Sequence, residues 1–259
     1  MSKEIIMVNT DKKVLALVFT AILAALVVVL QLVGGIPVGP FSITLTLFPI
    51  VVGAVVLGPL PGLALGVVFG VIVSILSLTG KDPGGFMVFQ ASPVLAWILC
   101  ILKGALAGLM PALAYKFFNR FRKHSLGITY AITGAFIFAV AFAAAKKLRG
   151  VNVWVQILIM VLAALAAGGI LFGMSKLLTE ENAAFYNAAV LAPIFNTGTF
   201  VVGMLLFFRS VLAAWSGGSD VLLYSLTGLV GLNFLIEFFV VIILTPALAA
   251  IAKFARKRL

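Results

Sequence analysis

Apolar residues fill this chain in runs of about twenty, the length a helix needs to cross a bilayer, broken by short clusters of glycine, proline and charge. Met1 to Lys13 is polar, and Val14 to Val33 is the first run long enough to span. Within it Ala21 and Ala25 lie one turn apart on a single helical face. A Gly/Pro stretch, Val33 to Phe41, cannot continue the helix and reads as a loop. Ile43 to Leu57 reads as a short second span and Leu60 to Leu78 as a third, followed by a loop over Thr79 to Ser92. Pro93 to Phe118 is the fourth, with the basic exit KFFNRFRKH. Leu126 to Ala145 and Val153 to Leu177 form a further pair joined by KKLRG. A polar connector, Leu178 to Asn187, leads to Ala188 to Phe208, and after a loop over Arg209 to Tyr224 the last run extends from about Leu222 to Ile251. The pattern predicts an all-α, polytopic membrane helix bundle of about eight spans, a single integral membrane domain over residues 1–259.

The stretch Leu57 to Gly70 adds a packing expectation. Gly58-Pro59-Leu60-Pro61-Gly62 is a tight reversal, and glycine recurs at Gly58, Gly62, Gly66 and Gly70. Four-residue spacing puts hydrogens in place of side chains down one face, so another helix backbone can approach closely. In water such a row weakens a helix by about 1 kcal/mol per glycine relative to alanine. In a bilayer the backbone has no competing water, and the groove becomes a packing surface.

Composition agrees: 64% of the residues are hydrophobic and 10% charged, where a soluble domain carries about 25% charge. The net charge of +11 would suit nucleic acid, but the basic residues sit mainly at the ends of apolar runs, so no nucleic-acid partner is expected and membrane lipid is. Both termini are expected in the cytoplasm. That orientation puts Lys3, Lys12, Lys13, Lys116, Arg120, Arg122, Lys123, Lys176, Lys253, Arg256, Lys257 and Arg258 inside, with Lys81, Lys146, Lys147, Arg149 and Arg209 outside. The first run is followed by Gly34-Gly35-Ile36-Pro37 rather than a small-residue cleavage site, so it reads as a span and not a signal peptide. Cys100, the single cysteine, leaves no disulfide framework.

Candidate chemistry is sparse. The expected outer loops carry Phe41, Phe86 and Phe89, which either anchor in the headgroup belt or line a pocket for a flat organic ligand. Lys103, Asn196 and Glu237 lie inside spans, where an unpaired charge costs about 2.5–3.5 kcal/mol on insertion scales. Lys103 and Glu237 are at matched depth and are candidates to pair. Asn196-Thr197 follows Pro193, and Asn233 shares a face with Glu237. These groups suit either a polar solute or hydrogen bonds between helices. His124 sits alone in the basic exit. No metal-ligand cluster, carboxylate pair or phosphate loop is present in the sequence, so neither enzyme activity, a cofactor nor a metal site is expected.

In their order, the segments TAILAALVVVLQL, IPVGPFSITLTLFPIVVGAVVLGPLPGLALGVVFG, LKGALAGL, APIFNTGTFVVGMLLFF and NFLIEFFVVIILTPAL resemble the substrate-binding (S) components of energy-coupling factor (ECF) transporters. The resemblance implies a six-helix core, here residues 14–118 and 188–252, with 126–177 an inserted helical hairpin. It implies a prokaryotic plasma-membrane protein that captures a water-soluble vitamin or related micronutrient from outside. Its partners would be a coupling membrane subunit and two cytoplasmic ATPases, which supply the energy. The small-residue face of the family's first helix points to Ala21 and Ala25 as the docking surface. Its outer pocket points to Phe41, Phe86, Phe89, Gln90, Lys103, Asn196, Thr197, Asn233 and Glu237 for substrate. The N terminus lacks the histidine of the nickel/cobalt branch, so a metal is not the expected cargo. The competing expectation is an autonomous carrier or channel using Lys103 and Glu237 as a charge relay.

Overall fold

A computed structural model describes residues 2–33, 36–38, 41–43, 45–147, 152–155, 157–158, 161, 168–169, 172–173, 176, 178–218, 220–225 and 231–258. The second helix expected in the hairpin, Val153 to Leu177, lies largely outside the described residues. The elements are α1 (Ser2–Val33), β1 (Ile36–Val38), β2 (Phe41–Ile43), α2 (Leu47–Leu57), α3 (Pro59–Leu78), α4 (Pro83–Ala91), α5 (Pro93–Arg120), α6 (Arg122–Lys147), α7 (Glu180–Phe207), α8 (Arg209–Ser216), α9 (Val221–Tyr224) and α10 (Gly231–Arg258).

Among the described residues, four helical segments are long and apolar enough to cross a membrane: Lys12–Val33, Pro59–Leu78, Pro93–Arg120 and Asn182–Phe207. Shorter apolar helices cover Leu47–Leu57 and Ile243–Ala255. At about 1.5 Å per residue, α2 is roughly 16 Å long, half of a hydrocarbon core, so the expected second span is not a full crossing.

Segments expected to be loops contain structure. The Gly/Pro stretch after α1 forms a short antiparallel hairpin with Ile36 opposite Ile43 and Val38 opposite Phe41, a small ribbon on an otherwise all-α bundle. Thr79 to Ser92 contains α4, started by Pro83 at a first-turn position that needs no amide donor. The Arg209–Tyr224 stretch holds α8 and α9. Leu178 to Asn187 is already helical from Glu180, because Thr179 and Asn182 form a capping box.

The glycine row does what its spacing demands, against α5. A Cβ at Gly62 would lie 2.5 Å from the Gly108 carbonyl oxygen, and one at Gly70 the same distance from that of Cys100. A Cβ at Gly66 would run into the Gly104 carbonyl. The α3–α5 contact is the most extensive between helices among the described residues. Gly58 serves the turn instead, standing at φ 103 between α2 and α3 with open space where a side chain would be.

Among the described residues two apolar cores follow. One joins Leu23, Val27, Ile50, Leu65, Phe69, Leu99 and Met204, the other Val51, Val55, Phe185, Tyr186, Ala189 and Leu248. The first part of the expected hairpin, α6, is tied to α7 by buried polar contacts. Thr129 Oγ1 donates to Asn187 Oδ1 (2.9 Å), Asn187 Nδ2 donates to the Ser125 carbonyl (3.0 Å), and the Thr133 and Tyr186 hydroxyls are 3.1 Å apart.

Candidate functional site

Helices α5, α7 and α10 bring the intramembrane polar residues together. Lys103 projects from α5, on the stretch that the glycine contact holds against α3, and is partly buried. Its ammonium lies 4.8 Å from the Phe200 ring centroid and 6.0 Å from that of Phe69, within reach of cation–π attraction. Glu237, on α10, accepts a long hydrogen bond of 3.4 Å from Thr197 Oγ1 on α7.

Asn196 precedes Thr197 on α7 and sits one turn before Phe200, which places it on the face that meets Lys103. It is 9% exposed, and its Oδ1 is buried with no hydrogen-bond partner among the described residues. Buried acceptors are nearly always satisfied, so this one marks a place where another group belongs.

Asp82, which in the sequence reads only as a loop residue, is a further partly buried carboxylate. It stands immediately before α4, where its Oδ2 accepts a 3.3 Å hydrogen bond from Ser77, and its Oδ1 is buried without a hydrogen-bond partner among the described residues. Burial pushes its carboxyl above the ordinary value, while the Lys103 charge, the Gly85 amide and the Ser77 hydroxyl pull it back. An acidic residue at the start of a short helix is the available signal, but it requires knowing that α4 exists.

The expected site residues on α4 fall on different sides of that helix. Phe89 is buried and packs edge-on against Trp97, 6.1 Å between centroids, which makes it part of the core. Phe86 and Gln90 are on the exposed side of α4. Phe41 lies in β2 and Asn233 in α10, with their side chains outside what is described. The hairpin, α4 and α8 do gather at one end of the bundle, where Trp215 Nε1 contacts Met87 Sδ at 3.1 Å.

Helix α1 presents the other candidate surface. Leu23 and Val27 turn into the core, whereas Ala21 and Ala25, two positions away and so on the opposite side, are exposed beside Leu17 and Ile22. A family model for the ECF transporter substrate-specific component matches residues 15–148, from α1 through the glycine contact and the residues of α6. The chain belongs to that family. It is thus a multi-pass membrane protein and, at the level of the family, a substrate-binding transport subunit rather than an enzyme. No curated protein and no solved structure matches this S component.

Proposed function

We propose that this S component captures a water-soluble vitamin or related micronutrient from outside the cell and passes it to a coupling subunit driven by two ATPases. The observation that carries the reading is the unsatisfied Asn196 acceptor beside Lys103, Thr197 and Glu237 in the bundle interior. A ligand carrying both hydrogen-bond donors and acceptors would complete those groups. Phe41 and Asn233 belong to the same proposed pocket, with Phe86 and Gln90 at its rim and Phe89 supporting it from the core. Ala21 and Ala25 form the docking face, because small side chains let a partner helix slide past without interlocking.

Mass spectrometry of the small molecules retained after gentle purification, followed by thermal shift with a vitamin panel, tests the assignment. A retained nutrient that disappears from the Lys103→Met variant is the expected result. No retained ligand and no response to any vitamin would overturn it. Gradient-driven flux in liposomes lacking ATPases would replace it with the autonomous carrier.

A further inference from the structure

Donors and acceptors among the polar residues on α5, α7 and α10 do not balance. In the interior of α7 the backbone N–H groups are spent on carbonyls four residues back, so the helix has no donor to offer an amide oxygen on its own side chain. The neighbouring side-chain donors are engaged as well. Thr197 Oγ1 gives its single hydrogen to Glu237 Oε2 at 3.4 Å, and the Lys103 ammonium lies against the Phe200 and Phe69 rings, 4.8 and 6.0 Å from their centroids. What stays unmet is Asn196 Oδ1, on a residue only 9% exposed. Asp82 Oδ1, the other buried side-chain atom without a partner among the described residues, is an acceptor too.

The imbalance has a sign. An orphaned donor would call for a carbonyl or carboxylate on the ligand, whereas an orphaned acceptor calls for N–H or O–H. Glu237 adds to the same demand. A carboxylate has about four acceptor sites, and one of them takes the Thr197 hydrogen. Thr197 follows Asn196 directly on α7 while Glu237 reaches it from α10, so acceptors from two helices meet at this level of the bundle.

We propose that the ligand presents two N–H donors on one planar group, as a ureido, amidine or aminopyrimidine group does, one to Asn196 Oδ1 and one to the Glu237 carboxylate. The inference rests on the vitamin-capture function proposed above and narrows it to one chemical class. A ligand recognised through a carboxylate alone would bring more acceptors to groups that need donors, and the Lys103 charge already has two rings against it. A site whose buried acceptors are met only by the right N–H groups also rejects analogues that lack them.

Equilibrium binding to the full chain tests this with a sorted panel. Biotin, folic acid and thiamine carry two such hydrogens on one planar group; nicotinic acid, lipoic acid and pantothenic acid do not. The expected binder comes from the first set, and replacing either N–H by N-methyl weakens it about tenfold or more. Asn196→Leu should weaken the parent ligand to a similar degree and be non-additive with methylation at one of the two positions, which a merely structural role would not produce. The methylated ligands decide the matter on the unaltered protein if the leucine variant misfolds. Binding confined to the second set, or methylated forms as tight as their parents, overturns the N–H assignment and leaves nutrient capture standing. Undiminished binding by a folded Asn196→Leu variant would assign the amide oxygen to a buried water and overturn the proposal. No binding by any member overturns both the proposal and the capture function beneath it.

Discussion

Replacing Gly70 with alanine probes the contact on which the polar cluster depends. The new Cβ would lie 2.5 Å from the Cys100 carbonyl oxygen, 2.8 Å from Ile101 Cα and 3.1 Å from the Cys100 carbonyl carbon. Ordinary contact begins near ~3.5 Å, and all these atoms are backbone, so no side chain can swing away. Helix α5 must move off α3 by up to roughly 1 Å. Overpacking of this kind costs about 1–3 kcal/mol. Alanine returns at most about 1 kcal/mol of helix propensity, and less in a bilayer, where the helix is already enforced. Gly134→Ala is the matched control: it changes the same atom in a helix where nothing lies within 4 Å of the added carbon. Thermal unfolding followed by tryptophan fluorescence should show Gly70→Ala melting on the order of 5 °C below the parent, with Gly134→Ala unchanged or slightly higher. Because Lys103 follows three residues after Cys100, ligand capture should weaken in the same variant. A Gly70→Ala protein as stable as the control would refute the close-contact argument.

Bulky residues at Ala21 and Ala25, as Ala21→Leu with Ala25→Leu, should abolish uptake by the full complex while leaving ligand capture by the isolated subunit intact; loss of both in a binding assay would remove the docking assignment. Glu237→Gln should lower ligand affinity tenfold or more, the ordinary consequence of losing a hydrogen bond to a charged group of about 1.5–3 kcal/mol, measured by equilibrium binding; unchanged affinity would exclude Glu237 from the pocket. Thr129→Val takes the donor from Asn187 Oδ1 and should destabilise by about 0.6–1.7 kcal/mol, the range of interhelical hydrogen bonds in membranes. Asn187→Leu added to it should cost less than the sum of the single changes in a double-mutant cycle, because each single change already breaks the same Thr129–Asn187 hydrogen bond.

Much of the site is legible because the bilayer makes polar residues conspicuous. Lys103, Asn196 and Glu237 stand out in apolar runs whatever the fold, and the cost of leaving them alone implies that they meet. Phe86, Phe89 and Gln90 carry no such signal. A nine-residue helix has one side on the core and one outward, and only the packing of α4 separates buried Phe89 from exposed Phe86 and Gln90. Asp82 stays hidden in the sequence for the related reason that its burial depends on the same helix.

Residence in a membrane, the course of the long helices and the need of the Gly62–Gly70 face for another backbone are written in the linear pattern. These follow from local physics: apolar length against bilayer thickness, and the absence of a side chain every fourth residue. Which backbone that is, how far α2 falls short of a full crossing, and which rings face the Lys103 ammonium emerge only once the helices are packed. Those outcomes depend on contacts between residues far apart in the chain, as between Gly66 and Gly104 or Thr197 and Glu237, and periodicity within one helix carries no information about its neighbour.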